Sequence, residues 1–227
     1  MQRLQRIQWP FYAVLTMAAL GAWNGALAHP HVWVTVHTDV LYDAQKAIIG
    51  FRHKWVFDEY YSQFAVMGLD KNNDGKYDRD ELKELTEVNI NSLKEFDYFT
   101  FPKVAGKLIE RDEPKDYWLE YHDNRLSLFF TLPLKQPLAA DKVKDFTFAV
   151  YDPTYFVDFS LAKEHPIGLS GAPEGCTPVV KDPAADTAQT STSSSLGESF
   201  FNNAAAARSI AEQYAQFVSI SCPAGRS

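Results

Sequence analysis

Residues 31–41 read HVWVTVHTDVL, and their alternation decides the fold. Val32, Val34, Val36 and Val40 fall on one side of an extended chain, and His31, Trp33, Thr35 and His37 on the other, because successive strand side chains project to opposite faces. This is a strand with a valine core face. Asp43-Ala44-Gln45 reads as a turn into a second β-rich run, Ala47 to Phe57, carrying Ile48, Ile49, Phe51, Trp55 and Val56, so the two predict a hairpin.

The period then changes from two to 3.6. Asp58 is placed to cap a helical pattern containing Tyr60, Tyr61, Phe64, Met67 and Leu69. A second helix is expected over Asp80 to Phe96, with Leu82, Leu85, Val88, Leu93 and Phe96 as its apolar side and Ile90 at the edge. Further strands are expected at Tyr98 to Ile109, Asp116 to Tyr121, Arg125 to Leu132, Asp145 to Tyr151 and Tyr155 to Leu161. A last helix over Phe200 to Phe217 and a strand over Val218 to Cys222 close the chain. The expected fold is mainly β with α: an antiparallel sandwich of roughly seven or eight strands with an inserted helix-loop-helix over 58–96.

Between the two expected helices lies DKNNDGKYDRDE, residues 70–81, which fits the twelve-residue EF-hand calcium template at every ligand position. Asp70, Asn72 and Asp74 offer side-chain oxygens, Gly75 allows the sharp turn, and Lys76 gives its carbonyl. Asp78 acts through water and Glu81 closes bidentately. Hard oxygen donors suit calcium. The competing reading is an acidic turn that binds nothing, yet Asp70, Asp74, Asp78, Asp80 and Glu81 in twelve residues repel one another without a cation. A lone hand argues for a structural ion, with affinity of order 10⁻⁴ to 10⁻³ M.

The N-terminus reads as an address. Arg3 and Arg6 precede an apolar run from Phe11 to Leu20, followed by Ala26-Leu27-Ala28; this is the pattern of a signal peptide over 1–28 cleaved after Ala28. The run falls short of the roughly 20 residues that span a bilayer. The processed chain, 29–227, is expected to be a single periplasmic domain that does not span the membrane. The whole chain carries 22 basic and 29 acidic side chains, a net charge of −7, which argues against a nucleic-acid partner. Export also interprets the two cysteines, Cys176 and Cys222: a disulfide is expected, enclosing the flexible Ser/Thr-rich segment 184–195.

Cleavage places His29-Pro30-His31 first. His29 and His31 share a side of an extended segment about 6.6 Å apart, at roughly 3.3 Å per residue, so one ion reaches both, with the α-amino group as a third donor. Pro30 lacks the N–H that square-planar amide binding requires, so further ligands must come from elsewhere. His53 is the candidate, if the hairpin register brings it near; it is otherwise expected opposite or near His37. Imidazole suits zinc, nickel, cobalt or copper without choosing among them. His122 and His165 read as solvated surface residues.

HPHVWV (29–34), RHKWVFDEYYS (52–62) and AVYDPTYFVDF (149–159), with a closing segment near Cys222, resemble an exported family, domain-of-unknown-function family 1007, described as a periplasmic component of an ABC-type transport system. The resemblance implies a periplasmic protein linked to transition-metal transport and directs attention to His29, His31, His53, Asp58 and Asp152. A two-lobed solute receptor normally needs two α/β domains; a metal-binding accessory protein serving an inner-membrane transporter fits the length better. The alternative is a calcium-stabilised interaction module whose histidines are incidental. No GxSxG, HExxH or CxxC occurs, so no enzyme is expected; a copper oxidase built on an N-terminal histidine brace is the third, weaker reading.

Overall fold

The computed structural model describes residues 31–183 and 211–223. The expected signal peptide, His29, the segment 184–195 and most of the expected C-terminal helix lie outside these residues. The alternation of residues 32–42 builds β1 (Val32–Tyr42), whose even-numbered side chains are all buried. Asp43 makes the turn by accepting the Ala47 N–H at 2.9 Å, and β2 (Ile48–Phe57) returns antiparallel. Opposite His37 stands Lys54, and opposite Thr38 stands His53.

The chain leaves β2 through α1 (Glu59–Ala65) and α2 (Lys83–Leu93). It returns as β3 (Thr100–Val104), β4 (Lys107–Leu108), β5 (Lys115–His122) and β6 (Arg125–Leu138). Next come β7 (Phe146–Val150), β8 (Val157–Leu161), β9 (Ile167–Ser170), β10 (Thr177–Lys181) and β11 (Phe217–Ser221). One sheet has the order β5-β6-β2-β1-β8 with β9 also on β1; the other runs β10-β11-β7-β3-β4. The molecule is therefore mostly β, with eleven strands among the described residues rather than seven or eight. Pairing is antiparallel except where β8 and β9 run parallel to β1.

The two sheets enclose one core. Its centre is aromatic: Phe51, Trp55, Phe130, Phe146 and Phe148 are all buried, and Trp55 meets Phe130 edge-on with centroids 4.8 Å apart. Such edge contacts add to the area term of aromatic burial. A smaller cluster on β3 and β7, Phe101, Ala149 and Tyr151, packs with Ala211 and Ala215; helix is described there only over 211–214, because Phe217 already belongs to β11.

Gly50 lets β2 and β6 approach closely. A Cβ there would lie 2.6 Å from the Leu132 carbonyl oxygen and 2.8 Å from Pro133 Cα, and its φ is +155°. Both neighbours are backbone, so neither can rotate away. Gly50→Ala is expected to cost more than about 2 kcal/mol, read as a lower urea midpoint with unchanged slope; an unchanged midpoint would show that the strands separate freely here.

Cys176 and Cys222 form a disulfide. It joins the ends of β10 and β11, next to the Thr177–Ser221 pair.

Candidate functional site

The insertion between β2 and β3 carries the acidic loop. Asp58 caps α1 by accepting the Tyr61 N–H at 2.9 Å and also accepts the Trp33 N–H at 3.0 Å. One carboxylate thus starts the helix and ties it to β1. Ser62 sets the rotation of the helix: its hydroxyl donates to the Asp58 carbonyl at 2.6 Å and accepts the Leu126 N–H at 2.9 Å. Ser62 and Val66 consequently face inward. The expected apolar face of α1 is corrected here, since Tyr60, Phe64 and Met67 are exposed, whereas Tyr61 stacks on Phe57. In α2 the buried positions are Thr86 and Ile90, just after buried Leu82, while Val88 and Phe96 are exposed.

The loop departs from a complete EF-hand in its flanks. α1 ends at Ala65 and a turn through Gly68, at φ +79°, intervenes before Asp70. α2 begins at Lys83. After α2 a tight turn, Lys94–Phe99, contains three successive left-handed residues, Asp97, Tyr98 and Phe99, where the sequence pattern predicts a regular helix end and strand start. Arg111 holds this turn, its guanidinium 2.6 Å from Asp97.

Within the loop every acidic template position is engaged by main-chain donors. Asp70 accepts the N–H groups of Asp74 and Gly75. Asn72, Asp74 and Asp78 accept those of Asp74, Lys76 and Asp80, each two residues on. Gly75 sits at φ +77°, the conformation its lack of Cβ allows. Glu81 is buried and folds across the loop, with Oε1 2.8 Å from the Lys71 nitrogen and Oε2 3.1 Å from that of Asp78. Among the described residues no group of three or more His, Cys, Asp or Glu converges to hold a metal. The donors are nevertheless the hard-oxygen set that calcium takes, and Glu81 reaches both ends of the loop.

The loop is docked on the sheet. Tyr77 packs edge-on against Tyr121 at 4.8 Å. Arg79 lies over Trp118 at 4.8 Å and pairs with Glu120 at 3.0 Å. A cleft lined by Lys76, Tyr77, Tyr121 and His122 separates the loop from the β5–β6 turn.

Among the described residues, the structure does not bring the candidate histidines His31 and His53 together. His31 stands exposed at the start of β1, its ring 5.1 Å from Phe156. His53 is fully buried, so its assignment as a terminal metal ligand is corrected. It sits between Phe51, Trp55 and Phe130. Its Nδ1 is 2.9 Å from the Thr38 hydroxyl and its Nε2 is 3.3 Å from the Thr100 hydroxyl. Because the Thr100 hydroxyl donates to the Tyr98 carbonyl, it is left to accept from His53 Nε2–H, and Nδ1 accepts from Thr38. Burial lowers the imidazole pKa to about 3, so the ring is neutral and links the two sheets.

Asp152 is likewise structural. Its carboxylate, buried, accepts from the Thr154 N–H and hydroxyl and from the Val157 N–H. His37 lies on the outer face beside Lys54, and burial followed by that charge lowers its pKa. His122 and His165 are exposed, as expected. The sequence signal for His53 was available: Phe51, His53, Trp55 and Phe57 share the inward period of β2, and Thr38 shares that of Val36 and Val40.

The sequence model of a family described as "Protein of unknown function (DUF1007)" matches residues 14–222. An uncharacterized protein of Haemophilus influenzae is 27% identical over 198 residues, covering 87% of this chain and 93% of the relative. The uncharacterized 15.5 kDa protein in the trpE 3' region of Spirochaeta aurantia is 33% identical over 104 residues, covering 46% of this chain and 73% of the relative.

Proposed function

Because the chain belongs to the DUF1007 family, whose description assigns no activity, we propose from its own residues that it is an exported calcium-binding protein acting as a periplasmic interaction module. The observation that carries this reading is the loop 70–81. Asp70, Asn72, Asp74, the Lys76 carbonyl, Asp78 and Glu81 are the donors that would hold Ca²⁺. Binding exchanges the N–H contacts of Glu81 for the cation and locks the loop against β5 through Tyr77 and Arg79. The ion then stabilises the insertion and supplies no chemistry of its own.

An accessory role in zinc, nickel, cobalt or copper transport is the other reading. It now rests on His31 and on His29, since His53 has no open coordination in the core, so the module is the better-supported form. In the accessory reading the partner is an inner-membrane metal transporter; in the module reading it is a membrane partner on which the helix-loop-helix docks. Among the described residues no helix is long and apolar enough to cross a membrane.

Thermal unfolding with and without calcium tests the calcium site. At free calcium fifty times Kd the wild type is expected to gain about 2 kcal/mol. Glu81→Gln, which removes the charge that closes the loop, is expected to lose the gain. An equal calcium shift in the variant would place the ion elsewhere.

A further inference from the structure

The insertion concentrates two properties on one element. Its Tyr60, Phe64 and Met67 are 86%, 67% and 64% exposed, the three most exposed large apolar side chains among the described residues, and Val88 follows at 58%. Isolated exposed apolar groups are ordinary, but a cluster at one place marks an interaction surface. Tyr60 and Phe64 are four apart on α1, hence on one face, and the Met67 N–H bonds the Phe64 carbonyl in the following turn. Ser62 fixes that face outward, because its hydroxyl is consumed by Asp58 and Leu126. The exposure is thus built in by the contacts on the opposite side of the helix.

The second property is charge. Residues 58–97 hold eleven Asp or Glu and five Lys or Arg, a net −6 against −7 for the whole chain. One bound calcium leaves the insertion at −4. Such a surface repels a second copy of itself and an anionic bilayer, and attracts an apolar segment flanked by cations.

We propose that the Tyr60–Phe64–Met67 face of α1 docks a basic amphipathic segment of a partner protein, the apolar side chains meeting this face and the cations meeting the acidic insertion. The inference rests on the reading of the chain as an interaction module and adds the docking face and the chemistry of what it takes. A flexible methionine and two aromatic rings suit contact with the apolar face of a partner helix.

The test uses the processed full chain in calcium and two synthetic fourteen-residue helices with the same leucine face, one otherwise lysine and one otherwise glutamate. The lysine peptide is expected to bind, the glutamate peptide not, and Phe64→Ser/Met67→Ser to weaken the lysine peptide by roughly tenfold or more. Both positions are exposed, so the double variant is expected to keep the wild-type melting temperature; Tyr60→Ser serves as an independent second variant. Equal affinity in wild type and variants, or equal binding of both peptides, overturns the proposal. So does self-association in sedimentation that the double variant abolishes, or flotation with phosphatidylglycerol vesicles, which would assign the face to a second copy or to lipid. Calcium uptake is measured on the same samples: uptake without peptide binding overturns the docking face alone, and peptide binding without uptake overturns the calcium reading alone.

Discussion

Acidification from pH 6.5 to pH 4 is expected to remove about 3 kcal/mol of stability through His53 alone. The fully buried ring has its pKa lowered to about 3 by desolvation, while in the unfolded chain it titrates near 6.5. Between these values the unfolded state holds a proton that the folded state does not, so stability rises with pH, by about 1.4 kcal/mol per unit for one group. The contribution is complete above the unfolded value and is lost as pH falls toward the folded one. Neither threonine rescues the cation: Thr100 already donates to the Tyr98 carbonyl, and Thr38 donates to Nδ1. Urea titrations at pH 7, 6, 5 and 4 on wild type and His53→Gln isolate the term, because glutamine keeps a donor and an acceptor without titrating here. Parallel pH profiles in the two proteins would show that His53 is solvated enough to charge in place.

The second large effect belongs to the disulfide. The Cys176–Cys222 bond closes a separation of 46 residues, and the loop-closure argument assigns it about 3 to 4 kcal/mol. Cys176→Ala/Cys222→Ala is expected to lower the melting temperature by roughly 6 to 16 °C for a chain of this size. The position makes the cost concrete. β10 is exposed along its whole length and pairs with β11, so without the bond it has few apolar contacts to hold it. A melting temperature within 2 °C of wild type would show that the β10–β11 ladder holds by hydrogen bonding.

What the sequence made legible follows from which forces act locally. The valine row of β1 and the position of β2 were readable because alternation reports burial directly, and Asp58 was readable as a cap because its bond to Tyr61 spans three residues. β9 and β10 were missed: one is four residues long and the other holds no buried side chain, so neither leaves a periodic signal. The face of α1 was misjudged for a different reason. Tyr60, Phe64 and Met67 carry larger apolar side chains than Ser62 and Val66, yet the serine is fixed by Asp58 and by Leu126, the latter 64 positions away in sequence. His53 shows the converse, a residue whose chemistry suggested a ligand while its strand period suggested the core. The period prevailed, because Thr38 and Thr100 satisfy both ring nitrogens. Two helices do lie between β2 and β3, but they are shorter than the sequence pattern predicts, since the Val66–Leu69 turn and the left-handed turn after α2 interrupt them.

The most direct measurement of the central claim is the number of calcium ions bound per chain, by equilibrium dialysis at millimolar free calcium, in wild type and Glu81→Gln. One ion in the wild type and none in the variant is the predicted result. No bound calcium in the wild type, or one ion retained by the variant, would contradict it.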